Sequence, residues 1–252
     1  MYEEAWWLYY PRACCSRRGD YHSVARSVHG SASVGMAAQR GERPTVTDEL
    51  LAKYPIVTDQ VDRVELRVIL SELEKCLQAG MTGAVVEFGC YAGTTSLFIR
   101  RLLNAYESKA DFHVYDSFEG LPPKTRLDES RAGEQFVTGA LAVSKKEFLL
   151  NFRKGNLAPP FVHKGWFNDL TDEDVPREIG LAFMDGDYYE SVRDSLRVVS
   201  PCLASGAVIV VDDYANEALP GAAKATDEWL REHDGSYRVQ ASLCVIKPFH
   251  QN

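Results

Sequence analysis

Several features that mark other protein classes are missing from this sequence of 252 residues. No run of about 18 apolar residues occurs, so a membrane-spanning helix is not expected. The six cysteines include no C-x-x-C pair, which disfavours a zinc or dithiol site. Neither an internal repeat nor a low-complexity tract is present. We therefore expect a globular cytoplasmic protein whose cysteines are reduced and serve in packing.

The sequence also lacks an excess of basic residues. Its formal net charge is −8, whereas a protein that binds the phosphate backbone of nucleic acids needs a concentrated basic face. Residues 1–46 hold six arginines and four acidic residues, so the negative charge lies in the remainder of the chain. Nucleic acid is therefore not an expected partner. An acidic body suits either a plain solvated surface or a site that captures cations.

The first 46 residues differ from the rest. They have no sustained hydrophobic periodicity and are rich in Ser, Gly, Ala and Arg, which predicts a flexible N-terminal arm, irregular or partly helical. Acidic residues stand where a signal peptide carries basic ones, so no export signal is expected, and Met36 offers an alternative start. We predict one domain over residues 47–252, with a helix at 59–79 before a core at 83–248.

Strand and helix patterns alternate along this domain. Thr58 or Asp59 is the expected cap of the first helix, which carries an apolar stripe and ends at Gly80. Apolar segments predict strands at 84–88, 111–115, 160–164, 180–184 and 207–211, with helices near 94–107, 144–153, 187–199 and 222–232. The segment YRVQASLCVIKP adds two strands as an antiparallel edge. This order predicts a single doubly wound, Rossmann-like α/β domain with a mostly parallel seven-stranded sheet.

The junction of the first strand with its helix reads VVEFGCYAGTTSLF. Gly89 and Gly93 allow the backbone to pass close to a ligand at the start of the helix. A dinucleotide site wants G-x-G-x-x-G to hold a pyrophosphate, but Tyr91 stands where the second glycine would be. The turn therefore disfavours an NAD-dependent oxidoreductase.

Acidic residues flank this turn. Glu87 precedes it and would repel phosphate, yet it could hold an ammonium group. Asp116 ends the next strand, where a carboxylate can accept both hydroxyls of a ribose. A ribose and an amine without phosphate together describe S-adenosylmethionine.

Four strings carry a resemblance to a known family: DSFEGLP (116–122), GWF (165–167), MDGDYYES (184–191) and VVDDY (210–214). In this order they resemble the macrocin O-methyltransferase family of antibiotic-sugar methyltransferases. The resemblance extends from about Tyr54 to Pro248 and leaves out the first 50 residues. It implies a class I methyltransferase fold and a homodimer or larger homo-oligomer.

The resemblance also implies a site for S-adenosylmethionine. Asp116 would bind the ribose, and the rings of Phe118 and Trp166 would flank the adenine, although both could instead be core residues. The residues implied in cofactor binding are Glu87, Gly89, Tyr91, Gly93, Thr95, Ser96, Asp116, Ser117, Phe118, Gly165, Trp166 and Asp185.

Carboxylates end two further strands, in MDGD and VVDD. Ligands bind beyond the carboxyl ends of the strands in open parallel sheets. Carboxylates that converge there repel each other unless a cation joins them, and oxygen ligands without His or Cys favour a hard ion such as Mg²⁺, Mn²⁺ or Ca²⁺. The resemblance implies that Asp185, Asp212 and Asp213 are the metal ligands. Alternatively, one acid of the Asp212-Asp213 pair caps the next helix.

The resemblance assigns Asp187 as the general base, which an alcohol needs in order to become a nucleophile. Asp187 could instead cap the helix predicted at 187–199. His163 is a rival base, but its place inside a strand favours a packed histidine. Tyr188 and Tyr189 either line an acceptor site or pack against the sheet.

These features predict a Mg²⁺-dependent O-methyltransferase that uses S-adenosylmethionine and methylates a small hydroxylated molecule, and the resemblance implies that this molecule is a sugar of a secondary metabolite. A catechol-type methyltransferase is the nearest alternative, but it usually pairs Asp with Asn where this chain has Asp212 and Asp213. A non-catalytic Rossmann binding module is a further alternative, although it should have lost some of these acids. Residues 121–142 are expected to act as a lid over the site.

Overall fold

The structure is a computed structural model that describes residues 44–249. The predictions for the N-terminal arm and for Met36 fall outside this range, as do Cys14 and Cys15. Within it, none of the helices is both long and apolar enough to cross a bilayer.

Two helices precede the sheet, α1 (Val46–Lys53) and α2 (Arg63–Gln78). The cap of α2 is Asp62, so the prediction of Thr58 or Asp59 is wrong. The carboxylate of Asp62 accepts hydrogen bonds from the amides of Val64 (2.6 Å) and Glu65 (2.9 Å). Glu65 in turn accepts the amide of Asp62 at 2.9 Å. This reciprocal capping box satisfies three amides at once, which explains why the helix begins there.

The sheet has seven strands in the order β3-β2-β1-β4-β5-β7-β6. Neighbouring strands run parallel from β3 to β5, whereas β7 is antiparallel to both β5 and β6. This confirms the predicted mostly parallel sheet with an antiparallel edge hairpin. The strands are β1 (Ala84–Phe88), β2 (Phe112–Asp116), β3 (Phe161–Lys164), β4 (Ile179–Met184), β5 (Leu203–Val211), β6 (Gly235–Gln240) and β7 (Leu243–Pro248).

Helices cover both faces of the sheet. The later helices are α3 (Thr94–Ala105), α4 (Lys145–Lys154), α5 (Tyr189–Val199) and α6 (Pro220–Glu232). Alternate residues of β1 belong to separate apolar clusters: Val85 packs with residues of α1 to α4, and Val86 packs with residues of α5 and α6. The strands are therefore buried on both sides, as continuous apolar runs predict.

The order of the strands reverses between β1 and β4. Phe88 of β1 is level with Met184 of β4, which is level with Val211 of β5. The amide of Asp185 donates to the carbonyl of Phe88 (2.8 Å), and the amide of Asp212 donates to that of Met184 (2.8 Å). The residues that follow these strands thus meet at one rim of the sheet, where ligands bind in this class of fold.

Candidate active site

The turn between β1 and α3 comes very close to the end of β4. Gly89 has φ +85°, and a Cβ there would lie 1.9 Å from the carbonyl oxygen of Asp185. Gly93, the N-cap of α3, has φ +90°, and its Cβ would lie 2.9 Å from the ring of Phe148. Only glycine meets both the left-handed conformation and the lack of space. The predicted glycine requirement therefore has a physical cause at both positions.

Glu87 is buried beneath this turn. Its carboxylate accepts a hydrogen bond from the hydroxyl of Ser96 in the first turn of α3. Burial and, to a smaller extent, the charge of Asp116 raise the pKa of Glu87 to about 8, although the hydrogen bond from Ser96 opposes the shift. The neutral form is therefore favoured at neutral pH, and a cationic ligand group would favour the ionised form.

Asp116 ends β2 and ties three loops together. One carboxylate oxygen accepts the amide of Cys90 at 2.8 Å, and the other accepts the amide of Phe118 at 2.6 Å. Its carbonyl accepts the amide of Gly165, which follows β3, at 3.0 Å. Each carboxylate oxygen can accept a further hydrogen bond, so Asp116 remains suited to bind a diol.

The other residues predicted for the cofactor lie around these loops. The Phe118 ring packs against Phe148, with the ring centroids 6.0 Å apart, so it contributes to the core. Trp166 is half-buried after β3. Ser117 is buried and its hydroxyl oxygen accepts the amide of Glu119 at 3.1 Å. Tyr91 lies in the glycine turn with φ +46°, and Thr95 is buried in the first turn of α3.

Three carboxylates meet on the β4–β5 side of the rim. Asp185, Asp187 and Asp213 each offer an oxygen atom, and these atoms lie within 4.8 Å of one another. We call these residues the acid cluster. Asp212 is not among these atoms and stays a predicted ligand; one of its carboxylate oxygens accepts the amide of Asp213 (2.7 Å) and the hydroxyl of Ser242 (3.3 Å).

The carboxylates of the acid cluster repel one another strongly. Burial raises the pKa of Asp185 well above its ordinary value, and the charges of Asp212 and the other two cluster members add to this. Burial likewise raises the pKa of Asp187, and the charges of Asp213 and Asp116 also raise it, to a smaller extent. Burial raises the pKa of Asp213 to about 6, although a hydrogen bond from Asn216 opposes the shift. A bound cation would offset this repulsion, and a set of carboxylate oxygens fits a hard divalent ion.

The turn after β4 keeps Asp187 in the cluster. Helix α5 begins at Tyr189 and its N-cap is Tyr188, so the alternative that Asp187 caps a helix from 187 is wrong. Asp187 has φ +57°, a left-handed conformation that bends the chain before the helix starts. The amide of Tyr188 donates to the carbonyl of Gly186 at 2.6 Å and closes this turn.

His163 and the two tyrosines have other partners. Nε2 of His163 lies 3.1 Å from Nδ1 of His113, and its ring stacks on Tyr115 with the centroids 4.4 Å apart. This favours the packed histidine over a base. The Tyr188 hydroxyl donates to the carbonyl of Phe136 (3.0 Å), and the Tyr189 hydroxyl donates to Glu228 (2.5 Å).

Sequence reasoning missed the residues that surround Asp212 and Asp213. The Ser242 hydroxyl contacts the carboxylates of both Asp212 (3.3 Å) and Glu65 (2.6 Å). Glu65 lies 177 positions before Ser242 in the sequence. Nothing in the local sequence indicates this contact. The side-chain amide of Asn216 donates to the carboxylate of Asp213 at 2.7 Å. Here the spacing of three residues could have indicated the contact from the sequence.

The architecture defines the class of protein: a seven-stranded sheet with an antiparallel last strand and a ligand rim at the β1–β4 reversal is a class I methyltransferase. A model of the macrocin-O-methyltransferase (TylF) family matches residues 26–242. The chain therefore belongs to the macrocin-O-methyltransferase family and is an O-methyltransferase.

Individual relatives agree with this assignment. The 8-demethyl-8-(2,3-dimethoxy-alpha-L-rhamnosyl)-tetracenomycin-C 4'-O-methyltransferase of Streptomyces olivaceus is 34% identical, over 70% of this chain and 69% of its own. Mycinamicin III 3''-O-methyltransferase of Micromonospora griseorubida is 30% identical, over 85% of this chain and 83% of its own. The structure of the O-methyltransferase NovP superposes with a TM-score of 0.62 at 26% identity, covering 72% of this chain and 78% of that one. The family resemblance inferred from the sequence is confirmed, but its predicted extent is wrong at the start, because the family match begins at residue 26, within the first 50 residues.

Proposed function

We propose that the protein transfers a methyl group from S-adenosylmethionine to a hydroxyl of a glycoside, with the help of a divalent cation. The observation that carries this proposal is the meeting of two sites at one rim. The acid cluster has oxygen atoms within 4.8 Å of one another, and the charges of Glu87 and Asp116 contribute to the raised pKa values of its members. A donor bound beside Asp116 would therefore lie next to the acids.

The donor would be held by the β1–β2 side of the rim. Glu87 would bind its ammonium group and Asp116 its ribose hydroxyls, while Gly89 and Gly93 would leave room for close approach. When bound, S-adenosylmethionine supplies a methyl group on a positively charged sulfur. The buried carboxylate of Glu87 on one side and the backbone amides at the start of α3 on the other suit a zwitterionic amino acid group.

The acid cluster would hold the cation and the acceptor hydroxyl. Asp185 and Asp213 are the proposed ligands, with Asp212 beside them, and when bound the cation lowers the pKa of a nearby alcohol. Asp187 would accept the hydroxyl proton at a carboxylate oxygen as the acceptor oxygen forms a bond to the methyl carbon. The bond from that carbon to the donor sulfur would break at the same time, which leaves S-adenosylhomocysteine. Because its pKa is raised, this carboxylate is a stronger base than that of an ordinary aspartate. Alignment of the two substrates supplies much of the rate.

The class of acceptor is proposed from the relatives. The names of two of them specify oxygen methylation of a rhamnosyl tetracenomycin and of mycinamicin III. A glycoside of a secondary metabolite is therefore the proposed acceptor. A cytoplasmic homodimer is part of the same proposal, and light scattering of the purified full-length chain tests the assembly.

Two measurements test the function. Calorimetry with S-adenosylmethionine, NAD and Mg²⁺ should give binding of the first and third only. Mass spectrometry should then detect addition of one methyl group to the rhamnosyl tetracenomycin, to mycinamicin III or to a related glycoside, and chelation with EDTA should abolish it. Lack of donor binding would contradict the proposal, and methylation of catechol in preference to every glycoside would favour the catechol-type alternative.

A further inference from the structure

Residues 121–142 bring an additional carboxylate to the turn that carries Asp187. The side chain of Asp128 has 0% exposure. Its Oδ2 accepts the amide of Thr125 at 2.9 Å and the hydroxyl of Thr125 at 2.6 Å, which folds the segment around it. Its Oδ1 accepts the amide of Tyr189 at 2.6 Å. One buried carboxylate thus joins this segment to the first residue of α5.

The start of α5 needs such a partner. Its N-cap is Tyr188, whose hydroxyl is turned to the carbonyl of Phe136 at 3.0 Å and not to the amides of its own helix. The amides of a first helical turn require acceptors, and this end of a helix attracts negative charge. Asp128 therefore caps α5 from outside the helix, across 61 positions of sequence.

The start of helix α6 leaves room for this contact. A Cβ at Gly221, in the first turn of α6, would lie 2.0 Å from Oδ1 of Asp128 and 2.6 Å from the amide of Tyr189. A second contact seats the segment nearby, because the hydroxyl of Ser130 donates to the carbonyl of Glu217 at 2.6 Å. The approach of Asp128 is thus built into the packing of two helices and a loop.

The residue between Asp187 and Tyr189 is held as well. Tyr188 is 1% exposed and packs with Leu121 and Leu219. Asp187 itself has φ +57°, and a non-glycine residue keeps that conformation only when its surroundings enforce it. The two residues that follow Asp187 are both fixed by contacts with residues 121–142.

We propose that Asp128 is a positioning residue that keeps the carboxylate of Asp187 in the acid cluster. It acts through the amide of Tyr189 and has no contact with substrate. This role rests on the proposed function, in which Asp187 is the base. Residues 121–142 are then more than a cover, because they set the geometry of the catalytic turn.

The test compares three variants of the full-length chain. Asp128→Ala removes the contact, whereas Asp128→Asn keeps an oxygen for Tyr189 and loses the acceptor for the amide of Thr125. Thr45→Ala is the matched control, because the Thr45 hydroxyl oxygen caps α1 by accepting the amide of Asp48 at 3.1 Å. For each variant, kcat and KM are measured with the acceptor found active in the panel above. S-adenosylmethionine affinity is measured by calorimetry, and exchange of the Tyr189 amide by mass spectrometry.

We expect Asp128→Ala to lower kcat by about tenfold to a hundredfold, since small misplacements of a catalytic group have effects of this size. Donor affinity should stay unchanged, the Tyr189 amide should exchange faster, and Asp128→Asn should restore part of kcat. Thr45→Ala should keep the wild-type kcat. If Asp128→Ala does not fold, Asp128→Asn carries the test with the same split between kcat and donor affinity.

Wild-type kcat in both Asp128 variants would overturn the positioning role, as would a parallel loss of kcat and donor affinity. The activity and donor affinity of the wild-type protein, measured alongside, distinguish failure of the positioning role from failure of the proposed function. A wild-type chain that binds no donor and methylates no acceptor contradicts the proposed function itself. An active wild type beside unimpaired variants contradicts only the role of Asp128.

Discussion

On the β1–β2 side of the rim, the chain itself supplies partners for its carboxylates. Asp116 accepts two backbone amides, and Glu87 accepts the hydroxyl of Ser96. On the β4–β5 side, Asp213 accepts one amide from Asn216, but Asp185 and Asp187 receive no hydrogen bond from any residue within 44–249. Both sides lie at the carboxyl ends of parallel strands, but only the second contains carboxylates, Asp185 and Asp187, that lack such partners among residues 44–249, since Asp212 there accepts an amide and a hydroxyl.

This difference separates binding from chemistry. Carboxylates held by backbone amides have a fixed orientation, which suits recognition of hydroxyls and an amine. Carboxylates that face one another at short range are stable only when protonated or joined by a cation, and such strained pairs are typical of catalytic sites. We therefore place recognition of the donor on the first side and activation of the acceptor on the second.

The largest expected effect comes from Asp187, which is the proposed base, whereas the other two members of the acid cluster are proposed metal ligands. Asp187→Asn keeps the size of the side chain but cannot accept a proton, so kcat should fall by roughly two to four orders of magnitude. Donor affinity, measured by calorimetry, should remain. Asp172→Asn, at an exposed position, is the control and should retain full activity. Wild-type turnover in Asp187→Asn would remove Asp187 from the mechanism.

Gly89 links the two sides, because its Cβ would collide with the carbonyl of Asp185. Gly89→Ala should cost about 3 kcal/mol in the free energy of unfolding, measured with urea, because strain and collision add. Gly80→Ala is the matched control: φ is +77°, but no atom of the described residues lies within 4 Å of a Cβ. Equal costs for both variants would mean that the collision contributes nothing.

The acid cluster should make stability depend on pH and on metal. The pKa of Asp213 rises from 3.8 to about 6 on folding, so the folded state holds a proton that the unfolded state releases. Stability of the metal-free protein should therefore fall as the pH rises from about 4 to about 6. A saturating divalent cation should raise Tm at pH 7.5 by about 5 °C or more, and by less at pH 5. A metal effect on Tm that is equal at both pH values would argue against binding at these acids.

A smaller effect is expected at Glu87. Its pKa of about 8 means that the ionised form, which binds an ammonium group, becomes scarcer below that pH. Affinity for S-adenosylhomocysteine should thus increase as the pH rises from 6 to 8, by up to about tenfold per pH unit. Glu87→Gln should bind more weakly with a flat pH profile. A flat profile in the wild type would show that Glu87 does not bind the amine.

Much of this arrangement could be predicted because it depends on local pattern. Alternating apolar strands and helices gave the sheet, and acids at the ends of strands gave the rim. The start of α5 could not be found in this way, because the left-handed turn at Asp187 moves the helix to Tyr189. Likewise the two neighbouring acids Asp212 and Asp213 look equivalent in sequence, yet Asp212 accepts a hydrogen bond from the distant Ser242 whereas Asp213 joins the acid cluster.

Titration of Mn²⁺ into the metal-free full-length protein, followed by the electron paramagnetic resonance of free Mn²⁺, tests the central claim most directly. The wild type and the exposed control Asp172→Asn should each bind one ion per chain at neutral pH, and Asp185→Asn and Asp213→Asn should lose at least about tenfold in affinity. Wild-type affinity in both cluster variants, or no binding in the wild type, would contradict the proposal that the acid cluster holds a divalent cation.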